Sequence, residues 1–231
     1  MAHASAVIAA AGSGERLGAG GPKAFVEAFG RPLLAWSLTA FDAAASIERI
    51  VVAAPPRAGD RVAALAEEAG VEVEIVSGGD YRSQSVANAM QRVGTDLVVV
   101  HDAARPLVSA KLIDEIVRRL DHNTDVTGVI AAAPVTDTIK EASVSRRVLR
   151  TPERSRMWAV QTPQAFRTAA MRDAIAAHPD QLGTVTDDAM LVERSGGEVL
   201  IHEAPVENMK VTTPHDLQVA AMLLAERKLE D

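Results

Sequence analysis

The chain has 231 residues, 48% of them hydrophobic, and a formal net charge of −7. This length and composition predict one large α/β domain with a sizeable buried core. Nucleic acid is a disfavoured partner, because the acidic balance and an aromatic content of only 3% oppose the basic face and stacking rings that such binding uses. The sequence has no cysteine, which excludes disulfides, thiolate metal sites and a cysteine nucleophile.

The first predicted element is a short buried strand, AVIAAA, which runs directly into the glycine-rich stretch GSGERLGAGGPKAF. Glycines such as Gly12 and Gly14 adopt backbone angles closed to other residues and let main-chain N–H groups approach an anion. Arg16 and Lys23 add two cations to the same loop. The combination predicts a triphosphate site; the alternative is a flexible turn whose cations only face water.

Two familiar phosphate loops do not fit this stretch. A dinucleotide fingerprint would place its third glycine at position 17, which is Leu17, and an acid at the end of the second strand, RIVVAAPP, where none occurs before Asp60. A Walker loop needs glycine just before Lys23 and Ser or Thr just after it, but Pro22 and Ala24 stand there. A Rossmann dehydrogenase is therefore disfavoured, and a P-loop enzyme is excluded.

Further strand-like runs recur along the chain: RIVVAA, VEVEIV, DLVVVH, VTGVIAAAPV and EVLIHEAPV. Most gaps between them hold helix-like segments such as PLLAWSLTAFDAA and SAKLIDEIVRRL. This alternation predicts a mostly parallel central sheet with helices on both faces, a Rossmann-like α/β fold in a single domain over residues 1–231. Ligands of such a sheet gather beyond the carboxyl ends of its strands.

One region departs from that alternation, between Pro134 and Phe166. Short β-prone pieces flank a polar tip at Glu141 to Arg147, which predicts a projecting β-hairpin arm over about residues 134–160. Projecting hairpins usually serve interactions, so the chain is expected to form a homodimer through this arm. The alternative is a loose surface insertion.

Targeting and metal signals are weak. No stretch is long enough to span a membrane, and the opening MAHASAVIAAAG lacks the basic start of a signal peptide. A cytoplasmic protein with no membrane partner is therefore expected. The six histidines show no metal-ligand spacing, so no protein metal site is predicted; His101 follows an apolar run and is as readily a packing residue as a chemical one.

Several motifs together carry a family resemblance. Besides the glycine loop they are SGGDYRSQSV from Ser77, HDAARP from His101, QTPQAF from Gln161, TDDA from Thr186 and ENMKVTTPHDL from Glu207. With these motifs the whole chain resembles the 2-C-methyl-D-erythritol 4-phosphate cytidylyltransferases of non-mevalonate isoprenoid synthesis. The glycine loop alone is typical only of a broad nucleotidyltransferase class, and the later motifs make the resemblance specific.

The resemblance implies transfer of CMP from CTP to a sugar-alcohol phosphate, with release of pyrophosphate. Such a reaction needs stabilisation of the charge that builds on the α-phosphate. Arg16 and Lys23 are placed for that, and the resemblance adds Lys210 to this cationic ring. Mg²⁺, or another divalent cation, is expected to be held mainly by triphosphate oxygens. The candidate cations for a local positive funnel are Arg16, Lys23, Arg82, Arg105, Arg154 and Lys210.

The resemblance also implies substrate contacts. The residues expected to meet CTP are Ala10, Ala11, Gly12, Gly14, Gly79, Asp80, Ser85, Asp102 and Ala103. Those expected to meet the acceptor are Asp102, Arg105, Arg154 and Thr186. Within the first set, Gly79, Asp80 and Ser85 would read the cytosine edge, although a plain turn uses the same letters. Arg154 lies on the predicted arm and would act either in its own chain or in a partner.

Two other functions remain compatible with the residues alone. A ribitol or other polyol phosphate cytidylyltransferase would share the glycine loop and differ mainly in the acceptor pocket. A non-catalytic nucleotide-binding regulator would be expected to lose one of Arg16, Lys23 or Lys210, and all three are present. The identity of the acceptor therefore rests on the resemblance.

Overall fold

The computed structural model describes residues 2–18 and 21–230, and the side chains of Arg16 and of residues 228–230 lie outside that description. In the described residues the strands are β1 (Ala4–Ala9), β2 (Glu27–Ala28), β3 (Arg31–Pro32), β4 (Ile47–Ala54), β5 (Glu74–Ser77), β6 (Leu97–Asp102), β7 (Gly128–Pro134), β8 (Glu141–Ala142), β9 (Val148–Arg150), β10 (Trp158–Arg167) and β11 (Val199–Glu203). The α-helices are α1 (Leu33–Asp42), α2 (Gly59–Ala69), α3 (Arg82–Met90), α4 (Ala110–His122), α5 (Thr168–Ala177), α6 (Asp188–Arg194) and α7 (Pro214–Glu230).

The central sheet has seven strands among the described residues, in the order β11-β7-β10-β6-β1-β4-β5. Neighbouring strands are parallel except at β10, which runs antiparallel to both β6 and β7. The predicted mostly parallel α/β fold is therefore confirmed. β1 lies between β4 and β6, which the chain reaches on opposite sides, so a crevice opens at the carboxyl end of β1.

Helices cover both faces of this sheet. Along β1, Ile8 faces the core that includes α1, α2 and α4, whereas Val7 faces the core that includes α3, α5 and α6. Strands buried on both faces read as continuous apolar runs, which is why the sequence indicated them without an alternating pattern. In a third hydrophobic cluster, Leu224 of α7 packs with Leu33 and with Leu17 of the glycine loop. Helix α7 therefore helps to hold the glycine loop in place.

The predicted arm is present. β8 and β9 pair antiparallel as a separate hairpin outside the central sheet, and their Val148 and Leu149 are more than 60% exposed.

The sequence interpretation was wrong for the end of that region. Residues 158–166, the last part of the region interpreted as a hairpin, belong to β10 inside the central sheet. Gln161, Thr162 and Gln164 are buried there with at most 6% exposure, so the strand lacks the apolar run that marks a buried strand in sequence.

None of the helices in the described part of the chain is long and apolar enough to cross a membrane.

Gly128 at the start of β7 gives a test of this packing. An added Cβ would lie 2.5 Å from Cδ1 of the fully buried Phe166 on β10 and 3.2 Å from the Ala165 carbonyl. We expect Gly128→Ala to lower the free energy of unfolding by about 1–3 kcal/mol, because a packed core resists insertion. Urea denaturation measures the effect, with Gly94→Ala as the control, since a Cβ there meets nothing within 4 Å. Equal stability of the two variants would contradict the packing.

Candidate active site

A cleft of about 650 Å³ opens where β1 and β6 end side by side. Ala9 of β1 pairs with Asp102 of β6, and the Ala103 N–H donates to the Ala9 carbonyl at 3.1 Å. The cleft brings together these predicted residues: Ala10, Ala11, Gly12, Gly14, Lys23, Gly79, Asp80, Ser85, Asp102, Ala103 and Lys210. The glycine loop forms one wall, and Lys210 enters from the segment before α7.

The conformation of the glycine loop is stabilised by contacts within its own backbone. The Lys23 N–H donates to the Gly12 carbonyl at 3.1 Å, which closes the loop and brings Lys23 to the cleft. Gly14 has φ 77°, and an added Cβ there would lie 3.1 Å from the Gly21 carbonyl. Gly14 is therefore needed for this loop conformation as well as for access to the cleft. The predicted Arg16 lies in the turn Glu15–Leu17, and its side chain is outside the described part.

A second loop, between β5 and α3, lies opposite. The Ser85 hydroxyl donates to the Tyr81 carbonyl at 3.1 Å and accepts from the Gly79 N–H at 3.0 Å. Gly78, which the sequence analysis did not single out, packs so tightly that a Cβ would collide with Ala11 and lie 2.9 Å from the Ala54 carbonyl. The adjacent glycines Gly78 and Gly79 were the sequence signal for a tight turn here. The close approach of Gly78 to Ala11 depends on the tertiary packing of two loops and leaves no signal in the sequence.

A second cleft of about 470 Å³ lies beside the first. Its walls include the predicted Arg105 and Thr186, together with Thr162 and Gln164 of β10. The residues that line both clefts are Arg82, Asp102 and Lys210. The boundary between the two clefts is therefore a cluster of charged side chains.

Asp102 is the centre of that cluster. Its Oδ1 accepts from Arg82 Nε at 2.5 Å, and its Oδ2 accepts from Lys210 Nζ at 2.7 Å. Burial alone would raise the pKa of the Asp102 carboxyl, but Arg82 and then Lys210 outweigh burial and hold that pKa far below its usual range. Asp102 therefore stays ionised. Asp102 and Lys210 were predicted site residues, whereas Arg82 was predicted only as one of several possible cations near the site.

Behind Asp102 lies a chain of buried hydrogen bonds. The Asp102 N–H donates to Thr162 Oγ1 at 3.0 Å, and that hydroxyl lies 3.0 Å from His101 Nδ1. His101 Nε2 lies 3.2 Å from the Arg105 carbonyl, which only accepts, so Nε2 carries the proton and Nδ1 accepts from Thr162. Burial lowers the pKa of His101 to about 3, and the ring is neutral. His101 is thus a structural support for the Asp102 loop and not a proton carrier.

Two of the predicted acceptor residues, Arg105 and Arg154, differ in their position relative to the clefts. Arg105 is 8% exposed, and its guanidinium donates to the Asn208 carbonyl at 2.9 Å, so it fixes the loop at the edge of the second cleft. Arg154 is exposed on the arm, donates to the Thr136 carbonyl at 2.8 Å and lines neither cleft. One chain therefore assembles every predicted acceptor residue except Arg154.

The α/β fold, with a glycine loop and cations at the carboxyl ends of β1 and β6, defines a nucleotidyltransferase. Residues 4–226 match the family model described as 2-C-methyl-D-erythritol 4-phosphate cytidylyltransferase. This chain belongs to that family. A relative of that name from Synechococcus sp. (strain WH7803) is 43% identical over 223 residues, covering 96% of this chain and 99% of the relative.

Solved structures agree with this assignment. The crystal structure of 2-C-methyl-D-erythritol 4-phosphate cytidylyltransferase from Thermus thermophilus has a TM-score of 0.78 and 34% identity, over 97% of this chain and 99% of that one. The 4-diphosphocytidyl-2C-methyl-D-erythritol synthase of Anaerococcus prevotii has a TM-score of 0.85 and 26% identity, over 97% of this chain and 96% of that one.

The neutral His101 predicts a pH effect on stability. In the unfolded chain a histidine binds a proton near pH 6.5, whereas folded His101 does so only near its pKa of about 3. Between these values the unfolded state holds the extra proton, so acidification removes stability, by up to about 1.4 kcal/mol per pH unit. His101→Gln should lack this part of the acid loss when urea unfolding is measured from pH 7 to 4. His122→Gln, at the exposed end of α4, is the control. If the stability of wild type and of His101→Gln changed identically with pH, His101 would not be the buried neutral group described here.

Proposed function

We propose that this protein transfers CMP from CTP to 2-C-methyl-D-erythritol 4-phosphate, giving 4-diphosphocytidyl-2-C-methyl-D-erythritol and pyrophosphate. The family supplies the identity of both substrates. The observation that carries the proposal is the shared wall of the two clefts, where Arg82, Asp102 and Lys210 meet. A donor in the larger cleft and an acceptor in the smaller one would meet at this wall.

The chemistry is an in-line displacement. An oxygen of the acceptor phosphate forms a bond to the α-phosphorus of CTP, the bond from that phosphorus to the bridging oxygen breaks, and pyrophosphate leaves with the electron pair. A phosphate oxygen is already an adequate nucleophile, so no Ser-His pair is needed. The task of the protein is to position both anions and to stabilise the charge on the transferring group.

Lys23 and Arg16 are proposed to stabilise that charge from the glycine loop, and Lys210 from the junction of the clefts. Lys23 and Lys210 line the larger cleft, and Lys210 also lines the second. Mg²⁺ is proposed to enter with the triphosphate. Asp102 is a poor additional metal ligand, because each of its oxygens already holds a cation.

Ser85 and its neighbours are proposed to read the base. The Ser85 hydroxyl donates its one proton to the Tyr81 carbonyl. It can therefore only accept a hydrogen bond from a ligand. An acceptor suits the amino group of cytosine and opposes the carbonyl that uracil has in the same place. Ala10 and Ala11, with Gly79 and Asp80, line the same cleft and leave room for a pyrimidine.

Arg154 is proposed to come from a partner subunit. It lies in the exposed turn Arg154–Arg156, which follows the hairpin of β8 and β9, and it lines neither cleft of its own chain. In an isologous dimer each arm would reach across and place this guanidinium over the acceptor phosphate of the other chain. A cytoplasmic location is also proposed, in line with the absence of cysteine from the sequence.

An acceptor screen tests the function. Pyrophosphate release is measured with CTP, UTP, ATP and GTP against 2-C-methyl-D-erythritol 4-phosphate, ribitol 5-phosphate and no acceptor. We expect release only with CTP and the methylerythritol phosphate, and a loss of about 10²–10³ in kcat for Lys23→Ala, as when one preorganised donor is removed. Preference for ribitol phosphate would favour a polyol phosphate enzyme, and CTP binding without turnover would favour a regulator.

Complementation tests the shared site. Lys23→Ala and Arg154→Ala proteins, each nearly inactive alone, are mixed 1:1 through unfolding and refolding. Random pairing makes half of the dimers mixed, each with one intact site, so about one quarter of wild-type activity should return. Mixing Lys23→Ala with Lys210→Ala is the control, because both lysines lie in the same cleft of one chain and no intact site forms. If the first mixture recovers nothing in verified heterodimers, Arg154 acts within its own chain.

A further inference from the structure

Arg82 holds two carboxylates that belong to different parts of the fold. Its Nε donates to Asp102 at the end of β6 at 2.5 Å, and its Nη2 donates to Oδ2 of Asp188 at 2.7 Å. Asp188 is the first residue of α6 and is 0% exposed. The planar guanidinium suits this arrangement, since its donors point in fixed and different directions.

Asp188 is not part of the walls of the proposed substrate clefts, although its neighbour Asp187 lines the second. The capping role at the start of α6 also falls to Asp187, whose Oδ1 accepts from the Met190 N–H at 3.1 Å. In the described part of the chain the only polar partner of the Asp188 carboxylate is Arg82, and its Oδ1 is buried without one. A carboxylate buried at such cost needs an explanation beyond helix capping.

We propose that Asp188 and Arg82 are positioning residues for the transfer reaction. Asp188 orients the guanidinium of Arg82, Arg82 fixes the carboxylate of Asp102, and Asp102 in turn holds the ammonium of Lys210 at the junction of the two clefts. The role rests on the proposed function, because it places Lys210 for the transferring phosphate.

The geometry explains how a buried residue reaches the site. Each oxygen of Asp102 holds a different cation, Oδ1 the guanidinium of Arg82 and Oδ2 the ammonium of Lys210. Without the Asp188 charge, the hydrogen bond to the second arm of the guanidinium weakens, and that arm becomes more available to Asp102. A guanidinium binds one carboxylate with two parallel hydrogen bonds, so Arg82 then competes with Lys210 for Oδ2.

Charge balance leads to the same expectation. The cluster contains two carboxylates, Asp102 and Asp188, and two cations, Arg82 and Lys210. Burial raises the pKa of Asp188, and the adjacent guanidinium of Arg82 opposes that rise and favours the ionised carboxylate. Burial lowers the pKa of Arg82, but Asp188 and then Asp102 together raise that pKa by more, so the guanidinium stays charged. Removing the Asp188 charge leaves an excess positive charge beside Asp102, which weakens its hold on Lys210.

The kinetic test uses Asp188→Asn, which keeps the shape and removes the charge. We expect kcat to fall about 10- to 100-fold, as for the loss of a hydrogen bond between charged groups, with CTP affinity unchanged in a titration. In an Asp102→Asn background the same change should cost little more, because the effect passes through Asp102. Asp114→Asn is the matched control: Asp114 accepts from the Ser46 N–H at 2.9 Å and from the Ser46 hydroxyl at 2.7 Å, and neither residue lines a cleft. It should lose stability and keep wild-type kcat.

A second measurement does not depend on the acceptor. Asp188→Asn and Lys210→Met are combined in a double-mutant cycle of unfolding free energy. No hydrogen bond or ion pair joins Asp188 directly to Lys210 in the described residues. The proposed relay is the series of contacts from Asp188 through Arg82 and Asp102 to Lys210. Without this relay, the effects of the two substitutions on the unfolding free energy should add. Non-additive effects support the proposal, and additive effects overturn it.

Two kinetic results would also overturn it: a wild-type kcat for Asp188→Asn, or losses that multiply in the Asp102→Asn background. An inactive wild-type enzyme with 2-C-methyl-D-erythritol 4-phosphate would instead count against the proposed function, and the unfolding cycle would still decide the relay.

Discussion

The ionised carboxylate of Asp102 is the interaction on which the site depends. It lies at the end of β6 with its side chain only 8% exposed, and it holds Arg82 on one oxygen and Lys210 on the other. A buried carboxylate is stable only when its charge is compensated. Three distant segments, the starts of α3 and α6 and the chain before α7, are tied together by that requirement. The two clefts share this wall because Asp102 and both of its cations line each cleft.

The unusual strand of the sheet supports the same carboxylate. β10 runs antiparallel between β6 and β7 and carries buried polar side chains in the middle of the sheet. Its Thr162 accepts from the Asp102 N–H, and the amide of Asn208 binds the Thr162 carbonyl at 2.9 Å. A buried polar group must find such partners. β10 therefore links the loop after β6 to the segment that carries Lys210.

The glycine loop depends on a different constraint, which is backbone proximity. Gly14 has a left-handed φ and lies against the Gly21 carbonyl, and Gly78 lies against Ala11 from the facing loop. A Cβ at Gly14 would be strained by its positive φ, and a Cβ at Gly78 would collide with Ala11 and crowd the Ala54 carbonyl, so both loops of the larger cleft require glycine at these positions. Ser85 completes the facing loop with its hydroxyl between Gly79 and Tyr81.

The sequence by itself determined the α/β class, the glycine loop with Lys23, the arm and most cleft residues. The fold class, the loop and the arm depend on local signals, such as apolar runs and glycine spacing, whereas most cleft residues were predicted from the motifs that carry the family resemblance. Only the tertiary structure decided that residues 158–167 form a central strand, since buried polar residues leave no periodic signal. It also decided that Asp188, 106 positions beyond Arg82 in the chain, completes the cluster, because ion pairs over such separations are set by how elements pack and not by neighbouring letters.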